Sequence, residues 1–186
     1  ARLDLAEGRT ADAEKNFRKV LEGDAKNLLA TLGLAVTSGA RGDAAEAEKW
    51  LQKATADHPE SMEAQLALAQ LYLGTAAFDK AQGVLYGAMK ASPDNAALVN
   101  ASGLAQLGRQ DVPAAIASFR KATELAPKAL GYSLNLARAH MLNRDLDGAL
   151  GVLNGVLKAE PGYRPALALA ASACLAAGHI EKATGY

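Results

Sequence analysis

The stretch AAIASFRKATELAP, Ala114 to Pro127, decides how the chain folds. Its skeleton is Ala115, Phe119, Ala122 and Pro127. The same skeleton recurs as Ala47, Leu51, Ala54 and Pro59, as Ala81, Leu85, Ala88 and Pro93, and as Ala149, Leu153, Val156 and Pro161. The four prolines follow one another at intervals of 34 residues, without insertion or deletion, as when one helical hairpin is copied along a chain. Copies of this kind stack so that each buries its apolar face only against its neighbours. The expected architecture is an all-α solenoid of antiparallel helix hairpins, and its expected role is to bind other proteins.

Working outward from that stretch, residues 28–61, 62–95, 96–129 and 130–163 form four complete units. Residues 1–27 hold a partial unit. Ala1 to Glu7 reads as the tail of a first helix and Gly8 as its turn. A second helix follows from about Ala11 to Glu22, with Ala13, Phe17 and Val20 in the skeleton places and Ala25 where proline would stand. Residues 164–186 open a sixth unit that stops part way through its second helix. The chain reads as a single array over 1–186, cut from a longer one and able to self-associate through its exposed ends.

Each unit carries start and stop signals with a mechanism. Asp43, Asp111 and Asp145 precede second helices, and Asn27, Ser61 and Asn95 precede first helices, where a short acceptor side chain caps orphan backbone donors. Pro59, Pro93, Pro127 and Pro161 follow second helices. Pro113 and Pro165 fall in first turns, where the missing donor costs little. Ala13, Ala47, Ala81, Ala115, Ala149 and Ala183 share one place on the second helix, and Ala35, Ala69, Gly103, Ala137 and Ala171 hold a small place on the first. These mark close approach of two helices, with Leu34, Leu68, Leu136, Phe17, Phe119 and Leu153 filling the space around them. Gly83 with Gly87, and Gly151 with Gly155, are small pairs four apart on second helices that read as tolerated helix weakness, the alternative being a convex-side or self-association contact.

Composition narrows the function. Twenty basic residues balance twenty acidic ones, which leaves no electrostatic footprint for nucleic acid. No run reaches the roughly 18 apolar residues of a spanning helix, so direct membrane insertion is not expected. Cys174 is the only cysteine and sits in a packing place. His58, His140 and His179 lie on different hairpins without a partner at ligand spacing. Neither a metal site, a cofactor nor a catalytic constellation is expected, and Glu46, Glu48, Asp145 and Asp147 read as capping and solvated residues.

The repeated Ala, Phe or Leu, Ala, Pro series at a 34-residue period resembles the tetratricopeptide repeat (TPR) family along the whole chain. The family's first-helix tryptophan is replaced by Thr31, Gln65, Val99, Ser133 and Leu167. Its tyrosine survives only as Tyr72, with Ser38, Gln106, His140 and Cys174 elsewhere. The motifs LALAQLYL and KATELAP are also similar in texture to long bacterial TPR proteins that accompany exopolysaccharide and exosortase-type export systems.

The resemblance implies a right-handed superhelix whose first helices line a concave groove for a peptide or partner helix, in a noncatalytic adaptor or scaffold. Helical spacing then nominates Leu66, Gln70 and Leu73, then Asn100, Leu104 and Leu107, then Leu134, Asn135, Arg138 and Met141 as groove residues. Asn100, Asn135 and Arg138 are the one polar cluster singled out, read either as a grip for a backbone or carboxylate or as a solvated face whose arginine stem covers a leucine. The family's basic carboxylate clamp is not matched, and of its asparagine ladder only Asn135 stands in place. The alternative reading is a structural spacer or self-assembling element of a larger complex.

If Ala115 marks a close approach, Ala115→Leu should lower stability to urea by about 1–3 kcal/mol through overpacking. A variant as stable as the parent would remove that assignment.

Overall fold

The computed structural model describes residues 10–178 and residue 183. The expected helix tail Ala1 to Glu7 and the turn at Gly8 lie outside that range. Among the described residues are ten α-helices and no strand: α1 (Thr10–Gly23), α2 (Leu28–Ala40), α3 (Ala44–Asp57), α4 (Met62–Gly74), α5 (Phe78–Ala91), α6 (Ala96–Gly108), α7 (Val112–Leu125), α8 (Leu130–Leu142), α9 (Leu146–Ala159) and α10 (Arg164–Ala176). The chain divides into two compact units, Ala1–Ala88 and Met89–Tyr186, with the boundary inside α5.

The period has a local cause in the turn between the two helices of a hairpin. Gly42, Ala76, Gln110, Arg144 and Gly178 all have positive φ and stand 34 residues apart. After the left-handed residue, the N–H of Asp43 reaches back to the Ser38 carbonyl at 2.9 Å, Ala77 to Tyr72 at 2.8 Å, Asp111 to Gln106 at 2.9 Å and Asp145 to His140 at 2.9 Å. This is the Schellman closure of a helix C-terminus. Three of its left-handed residues are not glycine, so Ala76, Gln110 and Arg144 hold a conformation that costs about 1–2 kcal/mol in isolation.

The residue that closes one helix also opens the next. Asp43 Oδ1 accepts from Glu46 N at 2.9 Å, Asp111 Oδ1 from Ala114 N at 3.2 Å and Asp145 Oδ1 from Gly148 N at 2.9 Å. Asn27, Ser61 and Asn95 cap α2, α4 and α6 as their composition predicts. Ala129 and Tyr163 precede α8 and α10 without a side-chain cap.

In each unit the expected close approaches are buried. Ala13, Ala47, Ala81, Ala115 and Ala149 are all at most 2% exposed. In unit 2, Phe119 packs with Ala115, Leu136 and Ala139. A Cβ at Gly103 would lie 2.6 Å from the Phe119 ring, so the missing side chain is the space the ring occupies. In unit 1, Phe17 packs with Ala13, Ala30 and Leu34. Ala171 and Ala183 are only half-buried. Val20 departs from its expected place: it is 44% exposed and borders an open cleft with Asn16, Phe17 and Leu29, because no described helix covers that side of α1.

Glu46 and Glu48 are not simply solvated. Glu46 shares Arg18 and Arg41 with Glu14, which ties α1, the end of α2 and α3 into one ion-pair ring. Glu48 Oε1 accepts from Lys80 Nζ at 3.0 Å and from the Tyr72 hydroxyl at 2.9 Å. Gln52 Nε2 donates to Glu48 Oε1 and to the Tyr72 hydroxyl, and the Lys80 ammonium lies 5.2 Å from the centre of the Tyr72 ring. The hydrogen bond from Lys80, then that from Tyr72, holds the Glu48 carboxyl below its usual range, while burial pushes the Tyr72 phenol up.

Two measurements test these packing and charge assignments. Gly103→Ala should lose stability, since moving the Phe119 ring costs about 1–3 kcal/mol against about 1 kcal/mol gained in helix propensity. Gly155→Ala, whose Cβ meets nothing within 4 Å, should instead gain about 0.5–1 kcal/mol. Equal changes at both sites would contradict the packing.

A carboxylate with a depressed folded pKa stabilises the native state above its unfolded pKa of about 4, and this contribution is lost as pH falls through the folded value. Glu48→Gln should therefore lose less stability than the parent between about pH 5 and pH 3 in urea titrations. Parallel losses would show that Glu48 contributes nothing to the acid response.

Candidate functional site

Within each unit the first helices present a distinct surface. In unit 1, α2 and α4 border a cleft of about 400 Å³ whose floor is Leu32, Ala35, Ala47 and Leu51, all buried. Val36, Ala67 and Leu71 form its walls, and Gly39, Glu63 and Gln70 stand exposed at the rim. The lining follows helical spacing: Leu32, Val36 and Gly39 recur at i, i+4 and i+7 on α2, and Glu63, Ala67 and Gln70 do the same on α4. Val36 is 58% exposed, an apolar side chain that no described residue covers.

Of the expected groove residues in this unit, Gln70 lines the cleft, while Leu66 and Leu73 are half-buried outside its lining. Sequence reasoning missed Leu32, Val36 and Gly39. The signal was present, because these residues stand 34 positions before Leu66, Gln70 and Leu73.

In unit 2 the expected polar cluster is assembled. Asn135 Nδ2 on α8 donates to Asn100 Oδ1 on α6 at 2.9 Å, and Arg138 Nη1 donates to Asn135 Oδ1 at 3.2 Å. The three side chains form a relay in which Asn135 is held from both sides and Arg138 is exposed. Leu104 and Leu107 are half-buried against the Phe119 cluster, and Met141 is half-buried. Leu134 requires a correction. It is 5% exposed and belongs to the core with Ala137, Leu153, Val156, Ala166 and Ala170, so it is committed to packing α8 and has no surface for a partner.

The remaining chemistry-bearing side chains have structural contacts. His58 Nε2 lies 2.5 Å from the Lys26 carbonyl. His140 is buried with Nδ1 2.7 Å from Asp145 Oδ2. The backbone N–H of Gly148, then His140, holds the Asp145 carboxyl below its usual range. A Cβ at Gly148 would collide with Asp145 and His140, so glycine makes room for this pairing. Cys174 is a buried thiol in the packing place its spacing predicts, and His179 lies outside the described residues. Among the described residues no three His, Cys, Asp or Glu side chains gather as a metal site, and no helix is long and apolar enough to cross a membrane.

Stacked helix pairs of fixed length with a side-chain surface on their first helices define the class of helical-repeat proteins. Two models described as tetratricopeptide repeat match the chain, one over residues 4–71 and 39–107 and the other over 100–164. The chain belongs to the tetratricopeptide repeat family. No curated protein matches it in sequence.

Among solved structures it is similar to MamA (41-end) from Desulfovibrio magneticus, at 19% identity and a TM-score of 0.77 over 87% of this chain and 92% of that one. A thermophilic TPR protein of Thermus thermophilus gives 23% identity and a TM-score of 0.75 over 94% and 96%. YrrB, a TPR protein with an unusual peptide-binding site, gives 19% identity and a TM-score of 0.69 over 92% and 88%. At these identities the likeness is one of fold. Family and fold together make the chain a protein–protein interaction scaffold.

Proposed function

We propose that the chain is a noncatalytic adaptor that takes a peptide or a partner helix on the first-helix faces of its repeats. The carrying observation is the apolar cleft between α2 and α4, where buried leucines form a floor and Val36 stands exposed at the wall. An apolar side chain seated there would leave water for a site already shaped, with Gln70 at the rim as donor and acceptor for a peptide backbone. The peptide-binding site of YrrB, a protein of the same fold, supports the reading. In unit 2 the relay of Asn100, Asn135 and Arg138 gives a second, polar place of contact, with the exposed guanidinium suited to a carboxylate.

Selection from a random peptide library tests the adaptor reading. Gly39→Leu adds a side chain at an exposed helical position where a Cβ meets nothing within 4 Å, so it should fold and occupy the cleft. Peptides enriched on the parent should bind this variant at least about ten-fold more weakly, equivalent to about 1.4 kcal/mol. Undiminished binding would move the interaction off the cleft. A selection that enriches nothing would favour the structural-spacer reading.

A further inference from the structure

We infer that the occupant of the unit 1 cleft is a peptide segment that seats an apolar side chain and carries a lysine or arginine beside it, with the cation meeting Glu63. The inference rests on the peptide-binding reading of this cleft and adds the charge of its partner.

Charge distribution carries the argument. The thirteen residues of α2 include no charged side chain, and those of α4 include only Glu63. Glu63 is exposed at the rim and has no ion-pair partner among the described residues. Other acids of the unit have cationic partners, Glu14 and Glu46 in Arg18 and Arg41, Glu48 in Lys80 and Asp57 in Lys53, while Glu60 lies 3.6 Å from the His58 ring. Among the described residues the cleft therefore offers one carboxylate without an ion-pair partner, in the first turn of α4, beside an otherwise uncharged lining. A basic residue gains a partner there, whereas an acidic residue meets a like charge with no cation among the described lining residues to offset it.

Geometry limits how the segment lies. Glu63 and Gln70 are seven residues apart on one face of α4, or about 10 Å along the helix axis. That length accommodates about three residues of extended chain at about 3.3 Å each. The basic residue belongs at the Glu63 end of the cleft and the backbone contacts of Gln70 lie at the other.

Three pools of nonapeptides test this, each with a central leucine and random uncharged residues elsewhere except for one position beside the leucine fixed as glutamine, lysine or glutamate. Binding is measured by fluorescence polarisation to the parent chain and to Glu63→Lys, at low and high salt. The parent should bind the lysine pool about two- to five-fold more tightly than the glutamine pool and the glutamate pool least well. Glu63→Lys should reverse the order, and high salt should compress it. Equal binding of the lysine and glutamine pools by the parent, or an unreversed order in Glu63→Lys, would overturn the charge assignment while leaving the cleft as a peptide site. Failure of every pool to bind the parent would remove both readings.

Discussion

The three-residue turn inside each hairpin is the constraint on which the rest depends. Its backbone closes the first helix, and in three hairpins its aspartate caps the second. In residues 41–43, for example, the Asp43 N–H satisfies the Ser38 carbonyl while its side chain satisfies the Glu46 N–H. One residue thus removes orphan groups from two helix ends, which leaves little freedom in the angle between them. With that angle set, Ala47 on the second helix is buried, at 2% exposed. The positive φ at Ala76, Gln110 and Arg144 shows that the turn is kept even where the residue disfavours it, so helix packing and backbone bonding outweigh the local cost.

The family's tyrosine place shows how departures are absorbed. Tyr72 reaches Glu48 and Gln52 on α3. At the corresponding place in the next hairpin, Gln106 accepts from Ser118 at 2.7 Å, and in the one after, His140 pairs with Asp145. Tyr72 thus ties its first helix back to the preceding hairpin, whereas Gln106 and His140 tie theirs to the second helix of their own hairpin or to its cap. The tryptophan place behaves similarly. Thr31 bonds the Asn27 carbonyl and Gln65 the Pro59 carbonyl, while Val99 is simply buried.

Hairpin boundaries, caps and close-approach residues were legible because each is a local rule repeated at a fixed period. Asn27, Ser61, Asn95, Asp43, Asp111 and Asp145 could be read singly, and repetition removed the ambiguity any one of them carries. The left-handed turn residues were not, since alanine, glutamine and arginine give no glycine signal. The ion-pair ring of Glu14, Arg18, Arg41 and Glu46 joins three helices, and period alone does not say which charges meet. At the candidate site, spacing placed Gln70, Asn100, Asn135 and Arg138 on first-helix faces. It did not separate Leu134, which a neighbouring helix covers, from Val36, which no described helix does. Burial of Leu134 depends on the helix that arrives from the next hairpin, and its side chains Ala166 and Ala170 lie about a repeat away in sequence.

The shortness of the connections has a consequence for how such a chain acquires new specificity. Many proteins place recognition in loops that tolerate insertion on a rigid scaffold. Here the described helices are joined by turns of three residues within hairpins and links of four between them, and most of these connections also cap the helix that follows. An inserted residue would uncouple the two ends that the turn satisfies together. Diversity is therefore confined to substitutions on exposed helix faces, so a change of partner is written as a change of side chain at a fixed address rather than of length.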